Sequence, residues 1–219
     1  MREIKVVKQV LEWNEDVSDQ IKEVTSKKKV YIVNVIGSPG AGKTTLLTSL
    51  IEKLSPDFKI GIIEGDITET IDAQKIDELG IPVVQLQTQG ACHIEAKSIE
   101  CILPMFDLDN LDVIFIENIG NLVCPAEFNI GENLRIALLS VPEGDDKVVK
   151  YPLLFSTADC MVINKADMLP YFEFDVDRVK NDVKDVNKNC EIFNVSSRSG
   201  DGVVELSDYL KDKIKTGLE

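Results

Sequence analysis

An apolar run from Val30 to Ile36 leads directly into Gly37-Ser38-Pro39-Gly40-Ala41-Gly42-Lys43-Thr44, and helical spacing follows over Thr45 to Ile51. Few folds accept that order. It predicts a buried strand, a tight glycine loop and a helix whose first turn faces the loop. Glycines let the backbone curl until its N–H groups point inward at a phosphate chain, and the helix N-terminus adds partial positive charge. Lys43 is placed to reach the outer phosphates. The Thr44 hydroxyl is placed at a Mg²⁺ ion, and Thr45 beside it belongs to the nucleotide-binding stretch. A glycine-rich turn that binds nothing is the alternative. The complete strand, loop and helix weigh against it, so the pattern predicts a nucleoside triphosphate site.

The chain has 219 residues, which suits one α/β domain with a sizeable core. Its net charge of −14 argues against general nucleic-acid binding, which needs a basic footprint. No apolar run is long enough to span a membrane, and the charged N-terminus lacks a signal-peptide core, so a cytoplasmic location is expected. The Cys count of 5 is odd and scattered, which does not make a disulfide framework.

Residues 1–28 carry apolar side chains at Ile4, Val7, Val10, Leu11, Ile21 and Val24 with charges between, which predicts an amphipathic helical arm, interrupted or whole. Packing on the domain is its simpler role; docking a partner is the sharper one. Lys27-Lys28-Lys29 reads as a solvated link to a domain over residues 29–219. Strands are expected at 59–64, 83–86, 113–116, 136–141, 160–163 and 192–195. Helices are expected at 73–79, 94–106, 176–187 and 203–214. Continuous apolar strands alternating with helices predict an α/β fold: a mostly parallel sheet with helices on both faces.

Asn164-Lys165-Ala166-Asp167 directly follows the expected strand at 160–163. In such a sheet that is the carboxyl end of a strand, where ligands bind. A carboxylate at Asp167 can accept two hydrogen bonds from guanine, at N1–H and the exocyclic amine, whereas adenine presents an acceptor there. Asn164 can bridge loops, the Lys165 stem can pack across the base, and Ser196-Ser197-Arg198 can supply an N–H to guanine O6. The N-K-x-D tetrapeptide resembles the guanine-recognition motif of GTPases.

Glu117-Asn118-Ile119-Gly120 places a carboxylate at the end of an apolar strand, ahead of a glycine. GTPases hold the Mg²⁺ side of the site and begin the second switch there, many with Asp-x-x-Gly. Asp66 and Asp72 are further candidates to orient metal-bound water or the attacking water; helix-end roles are their alternative. The catalytic set expected is therefore Lys43, Asp66, Asp72 and Glu117.

Cys92-His93 precedes an expected helix, and Cys124-Pro125 lies in the loop beyond Gly120. Thiolate and imidazole donors suit Zn²⁺ or Ni²⁺. Three donors leave a site open, and a second chain across a two-fold axis would complete it. The simpler reading is that such cysteines are small buried hydrophobes. Against it stands the position of Cys124, in a loop that nucleotide hydrolysis should move.

The phosphate loop, Gly90-Ala91-Cys92-His93, the run from Glu117 to Phe128, Glu143-Gly144-Asp145-Asp146 and Asn164-Lys165-Ala166-Asp167 together resemble the HypB family of hydrogenase nickel-incorporation GTPases. The resemblance covers roughly residues 30 to 210, and E-N-x-G-N-L-x-C-P-A is its most specific part. It implies a GTPase that dimerises with nucleotide, with Cys92, His93 and Cys124 as interface metal ligands. It implies GTP/GDP and Mg²⁺ as cofactors and Ni²⁺ or Zn²⁺ at the shared site. Implied partners are a second copy, a HypA-like zinc protein and a nickel–iron hydrogenase large-subunit precursor, with no nucleic acid and no membrane.

Some family members carry an N-terminal cysteine motif or histidine-rich tracts; this chain has neither, which argues against nickel storage. Where some members place histidines after the Cys-His pair, this chain offers Lys97 and Cys101. Slow intrinsic turnover is expected, since no arginine in the chain reads as a catalytic finger. Two alternatives stay open. One is a urease accessory-type nickel GTPase, disfavoured by the lack of a Cys-Pro-His motif. The other is a metal carrier in which nucleotide only sets conformation.

Overall fold

The computed structural model describes residues 2–65, 80–87 and 90–219, with side chains from residue 11 onward. Its centre is a seven-stranded parallel sheet. In chain order the strands are β1 Tyr31–Gly37, β2 Ile60–Glu64, β3 Val83–Gln85, β4 Val113–Glu117, β5 Leu134–Ser140, β6 Cys160–Asn164 and β7 Glu191–Asn194. They lie side by side as β3-β2-β4-β1-β5-β6-β7. All residues of β1, β2, β4, β5 and β6 are buried, as expected for strands covered on both faces. The expected α/β parallel fold is the observed one.

One face of the sheet is covered by α2 (Lys43–Leu54) and by a long C-terminal helix (Val203–Leu218). Leu46, Leu47, Leu50, Ile51 and Leu54 recur at helical spacing and are fully buried against Val33, Val35 and Phe115. Each such side chain contributes about 1.5–3 kcal/mol by burial. The C-terminal helix runs beyond the expected end at 214, and Tyr31 packs so closely on its last turn that a Cβ at Gly217 would not fit.

The other face carries two apolar clusters. Ile32, Ile63, Ile114 and Ile116 pack under α1 (Arg2–Lys28) and α3 (Ala96–Ile102). Ile36, Leu139, Met161 and Ile163 pack under Val179 and Val183 of helix Val176–Val186. Helix α3 stops at Ile102, short of the expected residue 106, and a tight turn over Leu103–Met105 replaces it because Pro104 cannot continue the ladder. Short helices over Lys147–Lys150 and Pro152–Thr157 were not foreseen.

Helix α1 is unbroken over 27 residues. From residue 11 onward the buried positions of its inward face are Asn14, Val17, Ser18, Ile21 and Thr25, while Val24 is exposed. Gly131, at φ 88°, abuts this face; a Cβ there would strike the Ile21 side chain. The lysine run is less free than expected: Lys27 pairs with Glu23 at 2.6 Å and Lys28 with Asp109 at 2.7 Å. Both pairs are exposed and screened by solvent, so they add little to stability. Among the described residues no helix is long and apolar enough to cross a membrane.

Candidate functional site

The parallel sheet brings the carboxyl ends of its strands to one edge, and the sequence motifs sit there. β1 delivers the glycine loop. Gly42 has φ 92° and opens α2, and a Cβ on it would lie 2.6 Å from Asn164 Nδ2. Only glycine fits both demands. Lys43 is 4% exposed, and its Nζ donates to Ser38 O at 3.3 Å across the loop. Ala41 N donates to Ser38 O at 3.2 Å, which curls Ser38, Pro39 and Gly40 into a cradle over the helix end.

The end of β6 closes on that cradle. Asn164 Nδ2 donates to Ala41 O at 3.0 Å, and Lys165 Nζ donates to Gly40 O at 2.6 Å. Lys165 takes φ 57°, in the left-handed region, where the chain leaves β6 for the turn that carries Asp167. Asn164 Oδ1 accepts from Ser197 N at 3.3 Å and Ser197 Oγ at 2.8 Å. Ser196 Oγ donates to Asp167 Oδ1 at 2.7 Å and orients the carboxylate. A cleft of about 270 Å³ opens between Gly42, Thr45, Asn164, Lys165, Asp167, Met168, Ser197 and Arg198. Its size and its mixed aliphatic and polar walls suit a purine base.

On the other side, Thr44 Oγ1 donates to Glu117 Oε1 at 2.9 Å. These oxygens, from a hydroxyl and a carboxylate, form the donor set a hard cation such as Mg²⁺ takes. Beyond β4 the chain stays fastened to β1: Asn118 N donates to Val35 O at 3.0 Å and Asn121 N to Gly37 O at 3.1 Å. A Cβ at Gly120 would stand 2.8 Å from Pro39 Cγ, so this loop lies directly on the phosphate cradle. Asp66 and Asp72 lie outside the described residues, as does the helix expected over 73–79.

The same loop then turns into the helical turn Cys124–Glu127. The ligand atoms of Cys92, His93 and Cys124 all lie within 4.8 Å of one another. Cys92 Sγ is 3.5 Å from His93 Nδ1. His93 Nε2 is buried with no hydrogen-bond partner, and Glu95 Oε1 stands 3.9 Å away. Burial lowers the imidazole pKa below its ordinary value, against the opposing pull of Glu95 and Glu127. The Cys124 thiol beside Cys92 raises the pKa of Cys92. Neutral imidazole and paired thiols, one ring nitrogen left unsatisfied, make a soft donor set suited to Ni²⁺ or Zn²⁺. Among the described residues no fourth histidine, cysteine or carboxylate joins this cluster. Cys101 is exposed on α3; Cys160 and Cys190 are buried.

Sequence reasoning missed the residues that surround the cluster. Phe128 stacks on the His93 ring, with centroids 4.0 Å apart. Asn14 of α1 donates to Asn129 O at 2.7 Å and accepts from Ala96 N at 3.0 Å, so one side chain ties together the two segments that carry the donors. Asn34 and Arg135, polar residues inside apolar strands, were the available signal for a buried polar seam in this region.

A parallel α/β sheet, a glycine phosphate loop and a cleft at its carboxyl edge define a P-loop nucleotide-binding protein, here with a Cys–His–Cys cluster on an adjoining loop. Residues 31–194 match the nucleotide-binding domain of the CobW/HypB/UreG family, and the chain belongs to that family. It is 39% identical over 216 residues to the hydrogenase/urease maturation factor HypB of Helicobacter hepaticus, covering 97% of this chain and 88% of that protein. It is 39% identical over 210 residues to the hydrogenase maturation factor HypB of Escherichia coli K12, covering 96% and 72%. The crystal structure of HypB from Archaeoglobus fulgidus matches with a TM-score of 0.89 at 35% identity, covering 93% of this chain and 100% of that one. That of HypB from Helicobacter pylori in complex with nickel matches at 0.86 and 38% identity, covering 94% and 97%.

Proposed function

We propose that this chain is a GTPase that carries nickel as cargo and serves the maturation of a nickel–iron hydrogenase. One observation carries the reading. A single loop begins at Glu117, which accepts a hydrogen bond from the phosphate-loop Thr44, and reaches Cys124 in the cluster with Cys92 and His93. The proposed nucleotide and metal sites therefore share one loop. The names of the HypB relatives, one crystallised with nickel, support the choice of cargo.

Guanine is selected by Asp167, which Ser196 holds in place. Lys43 and the cradle N–H groups neutralise charge that develops on the γ-phosphate as water attacks. Thr44 and Glu117 would hold Mg²⁺, which when bound supplies further charge stabilisation there. Asp66 and Asp72 are proposed to align water, and no arginine is assigned to the transition state, so slow turnover is expected. Three donors per chain leave the cluster open; a nucleotide- or metal-dependent homodimer would close it. A HypA-like zinc protein and the hydrogenase large-subunit precursor are the proposed donor and recipient. The cytoplasm is the proposed location.

The test is GTP turnover with and without Ni²⁺, together with Ni²⁺ binding and oligomer mass in the GDP and GTP-analogue forms. Turnover that responds to metal supports the reading. Metal binding without any GTP hydrolysis would leave a carrier in which nucleotide only sets conformation. The Helicobacter relatives are named for both hydrogenase and urease maturation, which favours a second reading in which urease is also served. Activation of each apoenzyme by the loaded protein separates the two.

A further inference from the structure

A buried polar seam runs under the loop that joins the two sites. Asn118 follows Glu117 and is 1% exposed. Its Oδ1 accepts from Ile119 N at 2.9 Å and from Ile94 N, directly behind His93, at 3.4 Å. Its Nδ2 donates to Asn34 Oδ1 at 3.2 Å. Asn34, in the middle of β1, passes the chain on: its Nδ2 donates to Glu132 Oε1 at 3.1 Å. Glu132 accepts from Arg135 Nε at 2.9 Å and NH2 at 2.6 Å. Arg135 then donates to Ala126 O and to Phe128 O, each at 3.2 Å, in the segment that follows Cys124.

Two arms therefore leave one carboxamide. One holds the backbone behind His93. The other runs through Asn34, Glu132 and Arg135 to the backbone after Cys124, and the Phe128 ring closes the circuit on His93. A sheet interior has no need of such a chain for packing, since the flanking clusters on this face are apolar. Each amide has a fixed donor side and a fixed acceptor side, so the seam has one arrangement with every partner satisfied. Displacing Asn118 breaks both arms together.

We propose that Asn118 is a positioning residue that makes the geometry of the Cys92–His93–Cys124 cluster depend on the nucleotide state. It sits one residue beyond Glu117, which the phosphate loop grips through Thr44. A rearrangement at Glu117 reaches both halves of the cluster through side chains held by hydrogen bonds rather than through the loop backbone alone. The inference rests on the proposed nickel GTPase function and names how its two sites communicate. The readout is the ratio of metal affinities between the two nucleotide states.

The experiment titrates Ni²⁺ alone into the full chain saturated with GDP or with a non-hydrolysable GTP analogue. It compares wild type, Asn118→Ala, which removes both arms, and Asn34→Leu, which removes only the second. Wild type should show nickel affinities that differ by roughly 5- to 150-fold between the two states. Asn118→Ala should bring that ratio to about twofold or less, and Asn34→Leu to an intermediate value. A purely structural role would weaken nickel binding in both states alike and leave the ratio in place. Should Asn118→Ala fail to fold, the Asn34→Leu ratio decides alone. A wild-type ratio retained in a folded variant overturns the role of Asn118. Equal affinities in wild type overturn the proposed nucleotide-linked function itself, and this inference with it.

Discussion

The His93 ring lies stacked on Phe128, their centroids 4.0 Å apart and their planes 23° from parallel. His93 arrives from the segment before α3, and Phe128 from the loop beyond β4. The contact brings the histidine donor to the same loop that carries Cys124, and it fixes the direction in which the ring nitrogens point. Groups that orient a metal ligand usually matter about 10–100-fold for metal affinity. Phe128→Ala should therefore weaken Ni²⁺ binding by roughly tenfold while the protein stays folded. Isothermal titration with the folded variant checks this; unchanged affinity would show that the stack is incidental.

Asp167→Asn should weaken GTP binding by about 2–4 kcal/mol and favour xanthine nucleotides, because an amide donates where the carboxylate only accepts. Ser196 fixes the carboxylate at 2.7 Å, so little of this loss can be recovered by rotation. Competition binding among GTP, XTP and ATP reads it. Wild type that binds ATP as well as GTP would refute the assignment.

Lys43→Ala should abolish GTP turnover and leave the fold intact. The ammonium reaches back over the loop to Ser38 O rather than into the apolar clusters. Circular dichroism and a phosphate-release assay on the same preparation decide the matter. A folded variant that hydrolyses GTP at the wild-type rate would remove Lys43 from the mechanism.

Cys124→Ala should spare GTP binding and remove the nucleotide dependence of metal affinity, expected at about 1–3 kcal/mol in wild type. GTP should also promote dimerisation, since each chain offers three donors. Sedimentation and nickel titration in both nucleotide states test the pair of claims. Full metal binding by a Cys92→Ala, Cys124→Ala double variant would reduce the cluster to incidental cysteines.

Gly131→Ala should destabilise the fold by about 2–4 kcal/mol, from a left-handed backbone and overpacking together. At φ 88° the new methyl group meets Ile21 of α1. Urea unfolding measures the loss. A smaller effect would mean that α1 can lift off its seat at little cost.

Much of the architecture was legible because it depends on local pattern. Continuous apolar strands announce a sheet covered on both faces, and the glycine loop can only join a strand to a helix. Asn164 and Asp167 were legible because they follow a strand end. Part of the inward face of α1 was missed because it is polar: Ile21 is buried as expected, but so are Asn14, Ser18 and Thr25, and Val24 is not. Their partners, such as Asn129 and Ala96, are remote in sequence. Arg135 was passed over for the same reason, since its role depends on Glu132, Ala126 and Phe128 folding around it. Cys92 and Cys124 could be suspected from residue type, but their closeness depends on where two separate loops land.

Asn164 binds Ala41 of the phosphate loop with its amide nitrogen, and Ser197 of the last strand's loop with its oxygen. Floor and wall of the nucleotide pocket are thus joined before any ligand arrives. Ordering entropy that a looser pocket would lose on association is lost here during folding. A nucleotide entering this site would meet a seat whose floor and wall are already joined through Asn164. A diphosphate and a triphosphate would differ for this chain at the opposite rim, where Gly120 rests on Pro39 and the chain between Asn118 and Asn121 is tied to β1.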